Sequence, residues 1–264
     1  AGGFAMATIN SSIVQRIDAA VNEELAHIHV NNKEFRSSSD IQNFIQDPAT
    51  VVSTLEKTPG VTDITGRVIV RGIASTSAGS TGVEITGIDI RKELEMFTLS
   101  ERLIPGTGSY FGSDTKLNSA FIGEKLAKEL YIIRYILTTE AFESLESKGV
   151  PAVVIEKLKP LEGERFTTEK KLTEAYAGLL SGKEIKEYGM NIKEAAWSYR
   201  EGSRIILSFL DVNGHQTGAA FRISGIFRTN NDLFEAMSLF VPQDELRRLT
   251  GLEEGQYHRF IARL

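Results

Sequence analysis

The chain has 264 residues, of which 41% are hydrophobic and 25% are charged, and its formal net charge is -5. This composition is typical of a folded globular protein and excludes an intrinsically disordered one. The negative charge argues against a nucleic-acid partner, which would need a basic face, and the absence of cysteine excludes disulfides and thiolate metal sites.

The first predicted element is a helix over Thr8–Leu25, in which apolar side chains recur at every fourth position. A strict spacing of four drifts around an ideal helix, so these side chains form a narrow, oblique stripe. The pattern fits a stripe that packs on a core, and it also fits a helix that continues out of a membrane span; the two are compatible. The stripe consists of Ile9, Ile13, Ile17 and Val21 and continues to Leu25.

A short strand is predicted next, because apolar and polar residues alternate from Ala26 to Val30. The alternation places His27 and His29 together on the polar face. Two such histidines can contribute to a metal site, but zinc needs further ligands, and only His215 and His258 remain in the chain. A solvated strand face is therefore favoured, and no metal is expected.

A helix and a β-hairpin follow. Asp47 and Pro48 are typical of a helix N-terminus, and Pro59 stops that helix. A long strand is predicted over Val61–Ile73, and the polar loop Ser75–Gly82 joins it to a second strand as the tip of a hairpin.

The middle of the chain is predicted to be helical, with four short amphipathic segments at about 142–145, 153–158, 172–180 and 192–199. Interleaved lysine and glutamate indicate solvated faces, so the segments fit a helical decoration with its own small core. A binding arm for a cargo or a partner protein is the alternative. A hairpin then begins at Arg204, and Asn213 and Gly214 predict a type I′ turn.

The C-terminal segment from Phe221 to Leu264 predicts a strand, a second strand, a short helix and a third strand. The first strand alternates but is interrupted near Gly225, and the helix is predicted over Gln243–Leu249 with Gly251 closing it. No nucleophile, metal cage or phosphate-binding loop occurs in this segment.

Catalytic motifs are absent from the rest of the sequence as well. Gly106, Gly108 and Gly112 have the wrong spacing for a dinucleotide-binding loop and fit a turn after a proline. The chain has no phosphate-binding GxxxxGK[ST] loop, no GxSxG elbow and no HExxH helix. Ser203 has no histidine near it in sequence, and Glu253 with Glu254 cannot be told from surface charge. No catalytic residue and no cofactor are expected.

Three segments, in order, resemble the periplasmic core domain of ABC-transporter permeases of the lipoprotein-releasing and macrolide-exporter type. They are Val83–Asp89, Phe121–Leu130 and the stretch GAAFRISGIFRTNNDLFEAMSLFVPQDELRRL from Gly218 to Leu249. The resemblance lapses between about Tyr131 and Tyr199, where the family continues directly into a strand.

The resemblance implies an α+β fold with a split, porter-like βαβ subdomain built from both chain ends. It assigns residues 1–88 with 222–264 to that subdomain and residues 89–221 to an inserted subdomain. The inserted subdomain carries the helical insert at about 131–200. It also implies that the chain is a piece of a longer protein, with a membrane helix before Ala1 and further ones after Leu264, so both ends should meet the same membrane face.

The function implied by the resemblance is that of a non-catalytic periplasmic domain of an inner-membrane permease subunit. The domain would couple ATP-driven motion of its membrane helices to cargo release, most similarly to lipoprotein release toward the outer membrane. Expected partners are its own membrane helices, a separate cytoplasmic ABC ATPase, a second permease copy or homologue, and lipoprotein cargo or a periplasmic carrier. The stripe Ile9, Ile13, Ile17 and Val21 would carry the coupling. Macrolide-type efflux, a division-linked permease and a free-standing periplasmic binding protein or enzyme remain alternatives.

Overall fold

A computed structural model describes residues 26–38, 40–111, 118–200 and 202–264. The predicted helix over Thr8–Leu25 lies outside the described residues. Two compact units are present. The first, called the barrel unit, contains the described residues up to Tyr131 together with those from residue 202 onward. The second, called the insert unit, is Ile132–Arg200.

The strands are numbered in chain order over the described residues. They are β1 Ile28–Asn31, β2 Asp63–Ser75, β3 Ser80–Ile88, β4 Ser119–Gly123, β5 Ile133–Ile136, β6 Arg165–Phe166, β7 Trp197–Tyr199, β8 Arg204–Leu210, β9 Gln216–Phe227, β10 Ser238–Pro242 and β11 Arg259–Arg263. The predicted hairpin of β2 and β3 is confirmed, as are the predicted strands β8 and β9.

The barrel unit is built on a closed ring of six strands, in the order β2, β3, β10, β4, β9 and β8, with β8 pairing back onto β2. The β3–β10 and β4–β9 pairs are parallel, and the other pairs of the ring are antiparallel. β11 and then β1 extend the sheet from the N-terminal part of β2. The ring encloses apolar side chains that are at most 3% exposed, among them Val70, Ile85, Leu239, Ile122 and Ile226 on one level.

The helices of the described barrel unit surround this ring. They are Phe35–Ser38, Pro48–Glu56, Ile90–Met96, Glu124–Glu129, Asp232–Met237 and Gln243–Thr250. The predicted N-cap is confirmed, because the Asp47 carboxylate accepts a hydrogen bond from the Thr50 amide. Gly251 ends the last helix in the left-handed conformation that glycine favours, with φ of 75°. In that helix Leu246 is fully buried and packs on Gly87.

The insert unit has a core of its own. A three-stranded sheet in the order β6, β5, β7 accompanies four helices, Thr139–Ser147, Ala152–Leu158, Glu169–Ala177 and Gly182–Ala196. Each of the four predicted amphipathic segments overlaps a helix, but the end of the fourth was wrong, because Trp197–Tyr199 forms strand β7. The small sheet was not predicted, since strands of two to four residues carry too little periodicity to be recognised.

The observed division of the chain differs from the predicted one. Both chain-end segments, 26–88 and 222–264, lie in one unit, but β4 and β8 belong to the same unit although they fall within the predicted second subdomain, 89–221. The physical reason is hydrogen bonding, because β4 pairs with β10 and β9, and β8 pairs with β9 and β2, so both strands are needed to close the ring. The predicted helical insert at 131–200 coincides with the separate insert unit.

Two local predictions need correction. The β8–β9 turn is not type I′, since Gly214 has a φ of 77° while Asn213 does not have a positive φ. The Asp211 carboxylate instead accepts hydrogen bonds from the amides of Asn213 and His215. The helix Asp232–Met237 was missed, although Asn231 caps it by accepting from the Phe234 amide.

No helix among the described residues has both the length and the apolar character needed to cross a bilayer.

Candidate functional site

The predicted coupling stripe, Ile9, Ile13, Ile17 and Val21, lies outside the described residues. The described chain begins at Ala26 and enters β1 directly.

The two ends of the described chain lie side by side. The His27 amide donates to the Ala262 carbonyl at 3.1 Å, and the Leu264 amide donates to His27 Nδ1 at 3.2 Å. The Thr62 amide donates to the Arg263 carbonyl at 2.9 Å, which places both ends beside the start of β2. This end of the barrel unit is called the terminal end. The His27 ring thus has a role in joining the two ends.

The opposite end of β2 is where the chain leaves the barrel unit and returns to it. β2 is 13 residues long, which corresponds to about 40 Å. At its far end the Thr76 hydroxyl donates to the Leu130 carbonyl at 2.9 Å, next to the last residue before the insert, Tyr131. β8 begins at Arg204 beyond the pairing of Ser75 with Ile206. This end is called the insert end.

A buried ion pair fixes the middle of β2 to the helix Ile90–Met96. Arg67 Nε and Nη2 donate to the two carboxylate oxygens of Glu93 at 2.8 and 2.7 Å, and both side chains are about 5% exposed. The guanidinium carbon lies 5.1 Å from the ring centre of Phe97 and 5.9 Å from that of Phe240. Burial, with a smaller effect of the Glu93 charge, raises the pKa of the Tyr110 phenol nearby.

His258 fills a gap in the hydrogen bonding of β2. One edge of β2 pairs with β11 as far as Arg67 and with β8 from Gly72 onward. Between them the Ile69 amide donates to His258 Nδ1 at 3.0 Å, and Nε2 lies 2.8 Å from the Ile41 carbonyl. The ring is therefore neutral, with its proton on Nε2, and burial lowers its pKa.

Charged residues at the insert end tie the helices Glu124–Glu129 and Asp232–Met237 to the segment that follows β9. Arg228 donates to both oxygens of the buried Glu124 carboxylate, at 2.7 and 2.6 Å, and Lys128 pairs with the same carboxylate at 3.0 Å. One oxygen of the buried Glu235 accepts from the Thr229 amide at 2.6 Å. Gly123 lets these helices approach closely, because a Cβ there would overlap the Glu235 carbonyl.

A cleft of about 770 Å³ lies at the terminal end, between the helix Pro48–Glu56 and the start of β2. The Tyr257 ring lies against Gly66, where an added Cβ would overlap the ring carbons, and its centre lies 4.9 Å from that of the Phe260 ring. Half-buried aliphatic side chains complete the walls, while charged side chains lie at its edge. The apolar side chains that line the cleft include Val52, Val61, Ile64, Tyr257 and Phe260.

Within the described ranges, no group of three or more histidine, aspartate or glutamate side chains is placed to hold a metal ion. His27 and His258 instead bond to the backbone, and Gly106 and Gly108 form a turn with positive φ. That Arg67 and His258 hold β2 to its neighbours was not predicted from the sequence. For Arg67, the available signal was a charged residue within the apolar run of β2.

No protein-family model matches the chain, and no curated protein matches it. Among solved structures, the chain is similar to the extracellular domain of the noncanonic ABC-type transporter YknZ from Gram-positive bacteria. The sequence identity is 10% and the TM-score is 0.40, over 86% of this chain and 78% of that one.

Proposed function

We propose that this chain is the periplasmic domain of an ABC-transporter permease subunit, and that it couples ATP-driven motion of the membrane helices to cargo release. The observation that carries the proposal is the adjacency of the two described chain ends, which two hydrogen bonds between His27 and the C-terminal residues Ala262 and Leu264 hold together. A domain inserted between two membrane helices must return its chain to the same membrane face. The three segments that resemble the permease family support the same assignment.

The barrel unit suits transmission of a displacement from the terminal end to the insert end. β2 runs between the two ends without interruption, and Arg67 ties its middle to the helix that follows β3. A closed ring has no free edge in its plane, which makes it stiffer than an open sheet. Movement of the chain ends would thus be felt at Tyr131 and Gly202, where the described chain leaves and re-enters the unit. Such coupling amounts to a two-state equilibrium biased by the ATPase.

The proposed cargo is a lipoprotein released toward the outer membrane, since the quoted segments are most similar to permeases of the lipoprotein-releasing type. The proposed partners are the chain's own membrane helices, a cytoplasmic ATPase subunit and a second permease copy or homologue. ATP hydrolysis is assigned to the separate subunit because this chain has no phosphate-binding GxxxxGK[ST] loop. The insert unit is proposed to contact the cargo or a periplasmic carrier.

The periplasmic location is tested first, by labelling single introduced cysteines in the full-length protein in cells. The chain has no cysteine, so each introduced thiol is the only target within it. Met190→Cys and Leu233→Cys place a thiol at positions that are 72% and 69% exposed, one in each unit, and Ala127→Cys is a fully buried control.

A membrane-impermeant maleimide should label both exposed positions, but not the control, in cells whose outer membrane alone is permeabilised. The protein should also stay with the membrane fraction in alkaline carbonate. Labelling that requires rupture of the inner membrane would contradict the periplasmic location, and release by carbonate would favour a free-standing periplasmic protein.

Coupling is tested with Ile13→Lys in the full-length permease, on the proposed stripe Ile9, Ile13, Ile17 and Val21. Gln15→Lys is the matched control, because a shift of two positions moves a residue to the other side of a helix. We expect Ile13→Lys to uncouple ATP hydrolysis from cargo release while the melting temperature of the domain is retained. Normal coupling in a stably folded variant would show that the stripe only packs against the domain and does not transmit motion.

A further inference from the structure

The cleft at the terminal end has the size and lining of a ligand site that the proposed coupling does not use. Its volume of about 770 Å³ falls in the range of about 300 to 1,000 Å³ typical of pockets for small organic molecules. Val52, Val61 and Ile64 are only half buried, although each packs on the core formed by Ile45 and Phe260. Apolar surface is therefore left open to solvent along the cleft wall.

The edge of the cleft carries charges of both signs. Glu56, Asp63 and Lys92 line it, and all three are exposed. None of them forms an ion pair with another residue that the structure describes. An apolar wall with two carboxylates and one ammonium group at its edge is complementary to an amphiphile that carries both a phosphate and an ammonium group.

The cleft opens beside the point where the chain ends leave the barrel unit. Val61, Thr62 and Asp63 line it, and the Thr62 amide donates to the Arg263 carbonyl, one residue before the end of the described chain. Leu264 itself is 53% exposed and lies 3.9 Å from the Cβ position of Gly60. If both chain ends continue into a bilayer, the cleft lies at the bilayer surface.

We propose that this cleft binds a zwitterionic phospholipid from the adjoining membrane leaflet, with an acyl chain along the apolar wall. The lipid phosphate pairs with Lys92, and the headgroup ammonium pairs with Glu56 and Asp63. An anionic headgroup is disfavoured, because it meets two carboxylates and only one ammonium. The proposal rests on the proposed function for the source of the lipid, since that function places the terminal end at a membrane.

The binding test uses the full chain and phospholipids with chains short enough to stay monomeric in water. Diheptanoyl phosphatidylcholine, titrated by calorimetry below its micellar concentration, should bind saturably with one site per chain. Glycerophosphocholine, which has no acyl chain, should not bind, and diheptanoyl phosphatidylglycerol should bind more weakly. Equal binding of the two phospholipids would overturn the role of the charged edge, and absence of saturable binding would overturn the site.

The position of the site is tested with a matched pair of tryptophan variants in one helix. Ala49 lines the cleft and is exposed, so Ala49→Trp is expected to fill the cleft without disturbing the core and to abolish binding. Thr54 is exposed on the same helix but does not line the cleft, so Thr54→Trp should keep the original affinity. Equal effects of the two variants would place the lipid elsewhere.

The charged edge is tested by reversal. Lys92→Glu should weaken binding of phosphatidylcholine about threefold or more, and Glu56→Lys with Asp63→Lys should invert the preference in favour of phosphatidylglycerol. Melting temperatures that match the original chain exclude misfolding.

These titrations do not depend on where the protein resides, so they can fail while the cysteine labelling succeeds. In that case only the lipid site is wrong. If binding occurs but labelling contradicts the periplasmic location, the proposed function and the membrane source of the lipid are both wrong.

Discussion

Removing the Glu93 carboxylate should destabilise the barrel unit more than removal of a surface charge would. In the Glu93→Ala variant, Arg67 keeps a charge that is about 5% exposed and loses both of its hydrogen bonds to the carboxylate. Breaking a buried ion pair on one side costs about 3–5 kcal/mol, since the remaining charge is desolvated without compensation. The two aromatic rings beside the guanidinium, Phe97 and Phe240, can offset only part of this cost, because a cation–π contact contributes about 0.5–2 kcal/mol.

The assay must follow the barrel unit by itself, because a chain with two units need not unfold in one transition. Native-state hydrogen exchange of the β2 amides reports the free energy of opening around Arg67. Fluorescence of Trp197, the single tryptophan, follows the insert unit and serves as an internal control. We expect the opening free energy of β2 to fall by about 3–5 kcal/mol in Glu93→Ala.

A double variant separates loss of the pair from exposure of a lone charge. Arg67→Met with Glu93→Leu replaces both charges by apolar side chains, and such replacements of buried pairs are often neutral or stabilising. The double variant should therefore be more stable than Glu93→Ala alone. The reasoning is refuted if Glu93→Ala lowers the opening free energy by less than about 1 kcal/mol, or if the double variant is no more stable than the single one.

Three further predictions concern packing, pH and capping. Gly123→Ala should destabilise the barrel unit by about 1–3 kcal/mol in a urea titration, since its Cβ would overlap the Glu235 backbone. Gly82→Ala, with no atom within 4 Å of its Cβ, should be neutral or slightly stabilising in the same titration. Burial lowers the pKa of His258 in the folded state, so on acidification the unfolded chain takes up the proton first. The contribution of His258 to stability should therefore be complete above about pH 6.5 and should decrease as the pH falls below that value. Melting curves of a His258→Gln variant should lack this pH dependence. Ser181→Ala removes the hydroxyl that caps the helix Gly182–Ala196 and should destabilise the insert unit by about 1 kcal/mol. Unfolding is followed by tryptophan fluorescence, and no change in stability would show that the cap is dispensable.

Elements with local signals were predictable from the sequence. The helix that begins after Asp47 is marked by a capping carboxylate and a proline, and the β2–β3 hairpin is marked by the polar loop Ser75–Gly82. The interruption near Gly225 corresponds to a shift of register between β4 and β9 at that point. Each of these features is decided by residues within one turn or one loop of each other, so the sequence pattern contains the necessary information.

Closure of the ring could not be predicted in the same way. β8 pairs with β2 across more than a hundred residues, and the choice of that partner depends on how all six strands fit together. Gly72 reflects this pairing in the sequence, because a Cβ at that position would lie 2.6 Å from the Ser208 carbonyl oxygen. A glycine in a strand also fits a bulge or a bend, so this glycine alone does not identify β8. The predicted boundary at 88/89 failed for the same reason.

The continuity of β2 links the fold to the proposed coupling. β2 is bonded to β11 near the terminal end and to β8 near the insert end, and between Arg67 and Gly72 this edge of β2 pairs with neither strand. His258 occupies that point, where its Nδ1 accepts the Ile69 amide, and the adjacent Arg67 carbonyl accepts the His258 amide at 3.1 Å. The same stretch carries the ion pair of Arg67 with Glu93. Two buried side-chain interactions thus reinforce β2 where its backbone ladder changes partner. If the barrel unit transmits a displacement along β2, variants of His258 and Glu93 should weaken coupling as well as stability, whereas variants of the insert-unit cap should weaken stability alone.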